Sequence, residues 1–399
     1  MKYLILYPDE YELSALTIQA RLLERGLKEL SHDVICLCSG FKFSKEIEYS
    51  SFRPDVIVGV GFWGNMPELI LEPMKRGIKA VPWFNADGWV ANYHEVLNSL
   101  PLIIVTSDWV KNAYARDGVN PKNIRSVHVG IDPNLFKPLP EDDAKTKNIR
   151  RMFGVKDDEI MILTAGGDVT SKGAQEMFRA IAAVKKNLPP FKYVCKAWFS
   201  ANTAEWRKKE SELINELGIS DKVIFHDEVI HHSYMPYLLN ACDIYAAPSR
   251  LEGFGMIQVE AMACGKPVIS INSMGPADTI VHGKTGFLAE VEQEIKLNKE
   301  WVYPNMGFDK KMQIEFPTPK TFAYRASVDQ LADFTLKLCS DKNLRKKMGK
   351  AAAQHALENF HYRSIAKKVA DLIEEHLCTK NSSCSIEPAD KPASTQLPD

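Results

Sequence analysis

Short continuous apolar runs alternate with helical stretches along this chain, which restricts it to parallel sheets covered by helices on both faces. In the first half the runs are Tyr3 to Tyr7, Val34 to Cys38, Val56 to Val60, Ala80 to Phe84 and Leu102 to Thr106. Between the first two, Ser14 to Leu30 spaces Leu16, Leu22, Leu23, Leu27 and Leu30 as a helix does. The second half repeats the alternation at Met161 to Ala165, Lys192 to Trp198, Val223 to Phe225, Ile244 to Ala247 and Val268 to Ile271. A chain of 399 residues has room for two such domains, each with its own core. Lys137 to Asn148, KPLPEDDAKTKN, is Pro-rich, charged and aperiodic, and reads as the linker between them. Between Glu290 and Ala323 the alternation dissolves into a polar, aromatic-dotted insertion with no assignable element. Two helices, Ser327 to Cys339 and Asn343 to Phe360, close the fold, and a last one spans Ser364 to Leu377. The Ser/Pro-rich segment 379–399 reads as a disordered tail.

Lysine and arginine number 50 against 51 acidic residues, so charge gives no case for a nucleic-acid partner. Basic clusters such as Arg345-Lys346-Lys347 read as solvated helix faces; a peripheral contact with an anionic membrane stays open. No apolar run approaches a membrane span, and the opening MKYLILYPDE reads as a first strand rather than a signal peptide. Eight cysteines without a C-x-x-C pair point to reduced thiols in the cytoplasm and to no metal site.

The stretch most informative about chemistry is PSRLEGFGMIQVEAMACGKPVI, Pro248 to Ile269. A strand runs into Pro248-Ser249, a Gly-Phe-Gly turn follows, and a helix from about Met256 to Gly265 leads to the next strand. Glu252 falls in the loop and Glu260 about a turn inside the helix, with seven residues between them. The free N–H groups of the helix start then lie between two carboxylates, Glu260 being roughly 6 Å beyond that start. A carboxylate accepts two hydrogen bonds side by side, which suits a vicinal diol, and a helix N-terminus suits a phosphate. Diol, phosphate, diol is the layout of a nucleotide sugar. The loop also stands at the C-terminal end of a strand, where open parallel sheets bind ligands.

Thr164 to Gly173, TAGGDVTSKG, ends another strand in Gly166-Gly167 and opens a helix with Lys172-Gly173. Its glycines let amides approach an anion, and Lys172 places a positive charge beside it. Lys172 is otherwise an exposed lysine in a first turn that the helix dipole disfavours. Gly59 to Gly64 matches G-x-G-x-x-G with Asp87 beyond it, but it follows the third strand and holds Phe62 and Trp63. It reads as a cleft-lining loop rather than a nicotinamide dinucleotide site. Pro82 to Tyr93, PWFNADGWVANY, sets Asn85 and Asp87 among aromatic rings, which suits sugar hydroxyls and faces or equally a structural Asp-Gly turn. His231 and His232 begin a helix without partner ligands, so no metal is read there.

With these residues in view, the chain resembles the retaining glycosyltransferases of the family 4 type, which have the GT-B fold. IIVTSDWVKNAYARDGV, SVHVGIDPNLFKP, the E-x7-E segment, VHGKTGFL and DKNLRKKMGKAAAQHALENFHY carry the resemblance, from about Leu102 to Tyr362. It implies two Rossmann-like, doubly wound α/β domains facing across a cleft. These are an acceptor domain, 1–145 joined by the helix 364–377, and a nucleotide-sugar domain, 146–363. Carried over, Glu260 binds ribose hydroxyls, while Glu252 and the Gly253, Phe254 and Gly255 backbone meet the donor sugar. Met256 and Ile257 amides meet the phosphates, Lys172 the diphosphate, and Ser249 and Gly167 line the donor. The implied reaction moves a hexose-type sugar to a hydroxyl acceptor with retention, needing neither metal nor cofactor, as the two domains close to expel water. Asp87 falls near the place of the family's histidine after the fourth strand, and is the candidate on the acceptor side. Two further departures are Gly167-Asp168 where the family carries an arginine on the diphosphate, and Pro8 to Glu12 in place of its Gly-Gly loop. The alternatives are a nucleotide-sugar epimerase on the same fold and a non-catalytic nucleotide-sugar-binding subunit.

Overall fold

The computed structural model describes residues 1–8, 14–85, 88–198 and 201–377, the last segment without the side chains of 201–203. The tail 379–399, the acceptor-side candidate Asp87 and residues 9–12 of the altered first loop lie outside the described residues. The first six strands are β1 (Lys2–Tyr7), β2 (Asp33–Cys38), β3 (Val56–Gly61), β4 (Lys79–Phe84), β5 (Ile103–Val105) and β6 (Ile124–Ser126). They pair in parallel in the order β2-β1-β3-β4-β5-β6. Between them run α1 (Ala15–Glu29), α2 (Lys42–Ser51), α3 (Glu72–Lys75), α4 (His94–Ser99) and α5 (Asp108–Arg116).

The second sheet holds β7 (Ile160–Ala165), β8 (Phe191–Lys196), β9 (Val223–His226), β10 (Ile244–Ala246), β11 (Val268–Ile271) and β12 (Gly286–Ala289). Its order is β12-β11-β10-β7-β8-β9, again parallel. Its helices are α6 (Ala144–Met152), α7 (Ala174–Val184), α8 (Ala201–Glu216), α9 (Met235–Ala241), α10 (Met256–Ala263) and α11 (Met274–Thr279). After β13 (Val291–Val302) and β14 (Met312–Ala326) the chain ends in α12 (Val328–Ser340), α13 (Lys342–Phe360) and α14 (Tyr362–Leu377).

Both faces of each sheet are buried, which is why the strands read as unbroken apolar runs. On β1, Leu4 and Leu6 join one core while Tyr3, Ile5 and Tyr7 join the core on the opposite face. The second sheet is covered likewise, with Met161 and Leu163 of β7 on one face and Ile160 and Ile162 on the other. The last helix returns to the first sheet: Ile365, Ala366, Val369 and Ile373 of α14 pack with Tyr3 and Ile5. Gly26 allows this approach, since a Cβ there would stand 2.4 Å from that of Ala366. Two doubly wound parallel sheets with helices on both faces are the architecture that the resemblance implies.

Two stretches differ from their reading in the sequence. The linker expected to be aperiodic includes the start of α6, because Asp143 caps it by accepting from the Thr146 N–H at 2.8 Å. Arg150 then fastens α6 to the second sheet through the Ala241 carbonyl and the Asp243 carboxylate. The unassigned insertion is an antiparallel hairpin, β13 with β14, running from the Val291–Ala326 pair to the Val302–Met312 pair with three register shifts. It belongs to neither sheet. Its sequence reads as polar because most of its surface is solvated, while Val302, Phe316 and Phe322 are buried against Trp63, Trp89 and Val90 of the first half.

Candidate functional site

In the second sheet the strand order reverses between β7 and β10, so the loops that leave these two strands flank the switch point where such sheets hold ligands. The loop after β7 is Gly166 to Gly173 and the loop after β10 is Ala247 to Gly255. They meet. Arg250 donates its N–H to the Ser171 carbonyl at 2.8 Å. Gly173, at φ +81°, sits so close that an added Cβ would lie 2.2 Å from the Pro248 carbonyl oxygen. Across this joint the Lys172 ammonium donates to Glu252 Oε2 at 2.6 Å. Gly166 leaves the room this lysine needs, since a Cβ there would meet its side chain at 2.7 Å.

Glu252 is held from several sides. Its other oxygen accepts the Gly255 N–H at 3.1 Å, Ser249 Oγ stands 3.4 Å from Oε2, and its own carbonyl accepts the Gly275 N–H at 3.0 Å. Gly255, at φ +93°, turns the chain into α10, whose first N–H groups lack partners within the helix. Glu260 follows on that helix with 3% of its surface exposed, and His232 Nε2 lies 3.3 Å from its Oε1. Burial pushes the Glu260 carboxyl above the usual range, and His232 pulls it back.

A cavity of about 770 Å³ joins these groups. Gly166, Gly167, Lys172, Glu252, Gly255, Met256, Ile257, Gln258 and Glu260 line one side of it. Trp198, Ile230, His232 and Met235 line another, and Ser14, Ala15 and Ile18 at the start of α1 close it from the first half. Both carboxylates therefore face one interdomain cavity with the start of α10 between them. The volume lies within the ordinary range for small-molecule sites.

Not every candidate faces this space. The Phe254 ring is buried against His128 and Phe360, and Ser249 is fully buried behind Glu252; neither lines the cavity, nor does Gly253. Asp168, standing where a phosphate-binding arginine was expected, caps its own turn by accepting the Ser171 N–H at 2.6 Å. Its charge is thereby committed to backbone, and Lys172 is the one lysine or arginine among the described residues that line the cavity.

Of the aromatic segments that suited either sugar contact or a structural role, the described rings form a joint. Trp63 and Trp83 are buried in the core, and Trp89 packs edge to face on Trp63 at 5.1 Å and on Phe316 of the hairpin at 5.7 Å. Asn92 donates to the Met306 and Gly307 carbonyls at 3.1 and 3.2 Å. Lys320 reaches the buried Asp117 at 2.9 Å. Burial would raise the Asp117 carboxyl, but Arg116, the Val90 N–H and Lys320 outweigh it and hold the group below the usual range. The hairpin thus ties the second half to the first through these rings, Asn92 and Lys320.

Two residues escaped the sequence reading. His232 was dismissed for lack of metal ligands, yet it partners Glu260; only the return of a loop 28 residues away reveals that. Lys196, at the end of β8, is fully buried with Nζ 2.5 Å from the Ala197 carbonyl and 4.6 Å from the Trp198 ring centre. Burial lowers its ammonium to about 8. Among the described residues no group of three or more His, Cys, Asp or Glu has the arrangement of a metal site, and no helix is long and apolar enough to cross a membrane.

Comparison with known proteins adds three findings. Residues 145–301 match the family model "Glycosyl transferases group 1". The D-inositol 3-phosphate glycosyltransferase of Stackebrandtia nassauensis is 29% identical over 179 residues, 44% of this chain and 39% of that enzyme. The chain thus spans about two fifths of the curated relatives it matches. Among solved structures, Anabaena HepE in complex with UDP and glucose superposes with a TM-score of 0.71 at 18% identity, covering 94% of this chain and 100% of that one. A glycosyltransferase from Rickettsia africae gives 0.73, also at 18% identity, over 96% and 100%. At that identity the likeness is one of fold, and the fold is GT-B.

Proposed function

Starting from a GT-B chain whose residues 145–301 match the group 1 glycosyl transferase model, we propose that the protein transfers a hexose-type sugar from a nucleoside diphosphate sugar to a hydroxyl acceptor, with retention of configuration and without a metal. One observation carries this reading: Glu252 and Glu260 face the same cavity on either side of the α10 N-terminus, with Lys172 within 2.6 Å of Glu252. Glu260 accepts the ribose hydroxyls, the first amides of α10 receive the phosphates, and Glu252 accepts sugar hydroxyls. As the bond from the sugar's anomeric carbon to the diphosphate breaks, charge builds on the leaving oxygen beside Lys172 and the helix start. The acceptor hydroxyl forms the new bond at that carbon, and its proton leaves with the nucleoside diphosphate.

The sequence 1–145 with α14 forms the acceptor side in this reading, and residues from 146 to 363 the donor side. HepE, which shares the fold, was solved with UDP and glucose, so UDP-glucose is the first donor to test. The second reading, a nucleotide-sugar-binding subunit without transfer, is favoured by one observation. With Asp168 turned onto backbone, the diphosphate meets a single lysine in place of a lysine and arginine pair.

Release of nucleoside diphosphate from a panel of nucleotide sugars separates the two. Transfer predicts release in wild type and a loss of about 10²–10³-fold in Lys172→Ala, the usual cost of removing one preorganised group from a developing charge. Donor binding with no release for any acceptor class would leave the binding subunit standing.

A further inference from the structure

Building on the reading of Glu260 as the grip on a ribose diol, we propose that His232 is a positioning residue that keeps this carboxylate ionised and aimed into the cavity, so that donor affinity persists at acid pH. Glu260 is nearly inaccessible to water, and an isolated carboxylate in such a place takes up a proton rather than bear its charge. A protonated carboxyl spends one oxygen on its own hydrogen and loses the side-by-side acceptor pair that a diol needs. His232 Nε2 approaches Glu260 Oε1 to 3.3 Å, and the imidazole is steadied by the Phe136 ring, packed edge to face at 5.4 Å.

The other titratable groups around Glu260 offer no substitute. Tyr245 on β10 donates its hydroxyl to the Ala165 carbonyl at 3.0 Å. Cys264 at the end of α10 and Cys242 after α9 are buried thiols whose pKa values burial pushes well up, so both stay protonated. His231 lines the same cavity but turns Nδ1 to Ser233 Oγ at 2.8 Å, and Lys172 is committed to Glu252. Among the described residues, His232 is the cation-forming group whose charge reaches Glu260.

The contact with His232 Nε2 favours the carboxylate over the carboxyl; without the imidazole, burial acts unopposed and Glu260 takes up a proton more readily.

The test is calorimetric titration of the full chain with UDP, GDP and ADP across about pH 5 to 8, the range in which imidazoles change charge. His232→Gln keeps a hydrogen-bond donor and removes the charge; His232→Asn is the fallback if that variant melts early. The expected result is that affinity begins to fall at a higher pH than in wild type. At the acid end binding is weaker than that of wild type, in the direction that burial without His232 gives. At the alkaline end the two proteins agree. Glu260→Gln, with no carboxylate to protonate, keeps only the acid limb that the nucleotide's own terminal phosphate contributes, its second ionisation lying at about pH 6. A variant that binds uniformly weaker at every pH, or indistinguishably from wild type, overturns the role of His232. If none of the three nucleotides binds wild type, the donor-site reading itself fails and this proposal with it.

Discussion

Replacing Gly173 by alanine strains the joint between the two ligand loops in two separable ways. At φ +81° an L-residue with a Cβ costs about 1–2 kcal/mol. The added carbon would also stand 2.2 Å from the Pro248 carbonyl oxygen and 2.8 Å from its carbon, against ordinary contacts beginning at 3.4 Å. The obstacle is backbone, so no rotamer relieves it, and the two loops must separate by about 1 Å. Overpacking of that kind costs about 1–3 kcal/mol. Together the terms give about 2–5 kcal/mol, which for a domain of this size lowers the melting temperature by roughly 5–15 °C. The displacement falls on the residue next to Lys172, whose ammonium meets Glu252 across the same joint. A misplacement of about 1 Å in a reacting constellation can cost about 10²-fold in rate. Thermal denaturation and turnover of the purified variant check both numbers. A Gly173→Ala protein that melts within one degree of wild type and turns over normally would refute the claim that this contact sets the Lys172–Glu252 geometry.

Lys196 is fully buried, and its ammonium is lowered from 10.5 to about 8, so the folded chain binds fewer protons than the unfolded one between those values. Stability attributable to this group therefore rises as pH climbs from 8 to 10.5, and at pH 7 the buried charge costs up to roughly 3 kcal/mol. Lys196→Met should be the more stable protein at neutral pH, with the gap closing toward pH 10.5 in denaturant titrations; a gap independent of pH contradicts the account. At the hairpin joint, the edge-to-face pair of Trp89 and Phe316 predicts a coupling of about 0.5–1.5 kcal/mol in a double-mutant cycle through leucine. Zero coupling would mean that the hairpin does not grip the first half through these rings.

The parts of the fold legible in the sequence are those written in neighbouring residues. Strands buried on both faces show as apolar runs, as from Tyr3 to Tyr7. Gly255 and Gly265 bracket α10 so closely that Glu260 could be placed on it by counting. The hairpin was opaque for a physical reason. Its strands lie outside both sheets and alternate poorly across three register shifts, and its buried residues, Val302, Phe316 and Phe322, find their core in a different part of the chain. The same distance hid the meaning of Trp63 and Trp89, whose rings invite a sugar until the hairpin is seen packed on them.

Local patterning therefore determined the alternating architecture, the two glycine loops and the spacing of the paired glutamates, because hydrophobic periodicity and glycine's backbone freedom act over a few neighbouring residues. The charges on those groups were decided elsewhere. Lys172 faces Glu252 across 80 residues of chain, His232 reaches Glu260 across 28, and Asp168 turns from the cavity to a backbone amide. The ionisation and aim of a side chain depend on which groups share its low-dielectric surroundings, and only the packed chain assembles those.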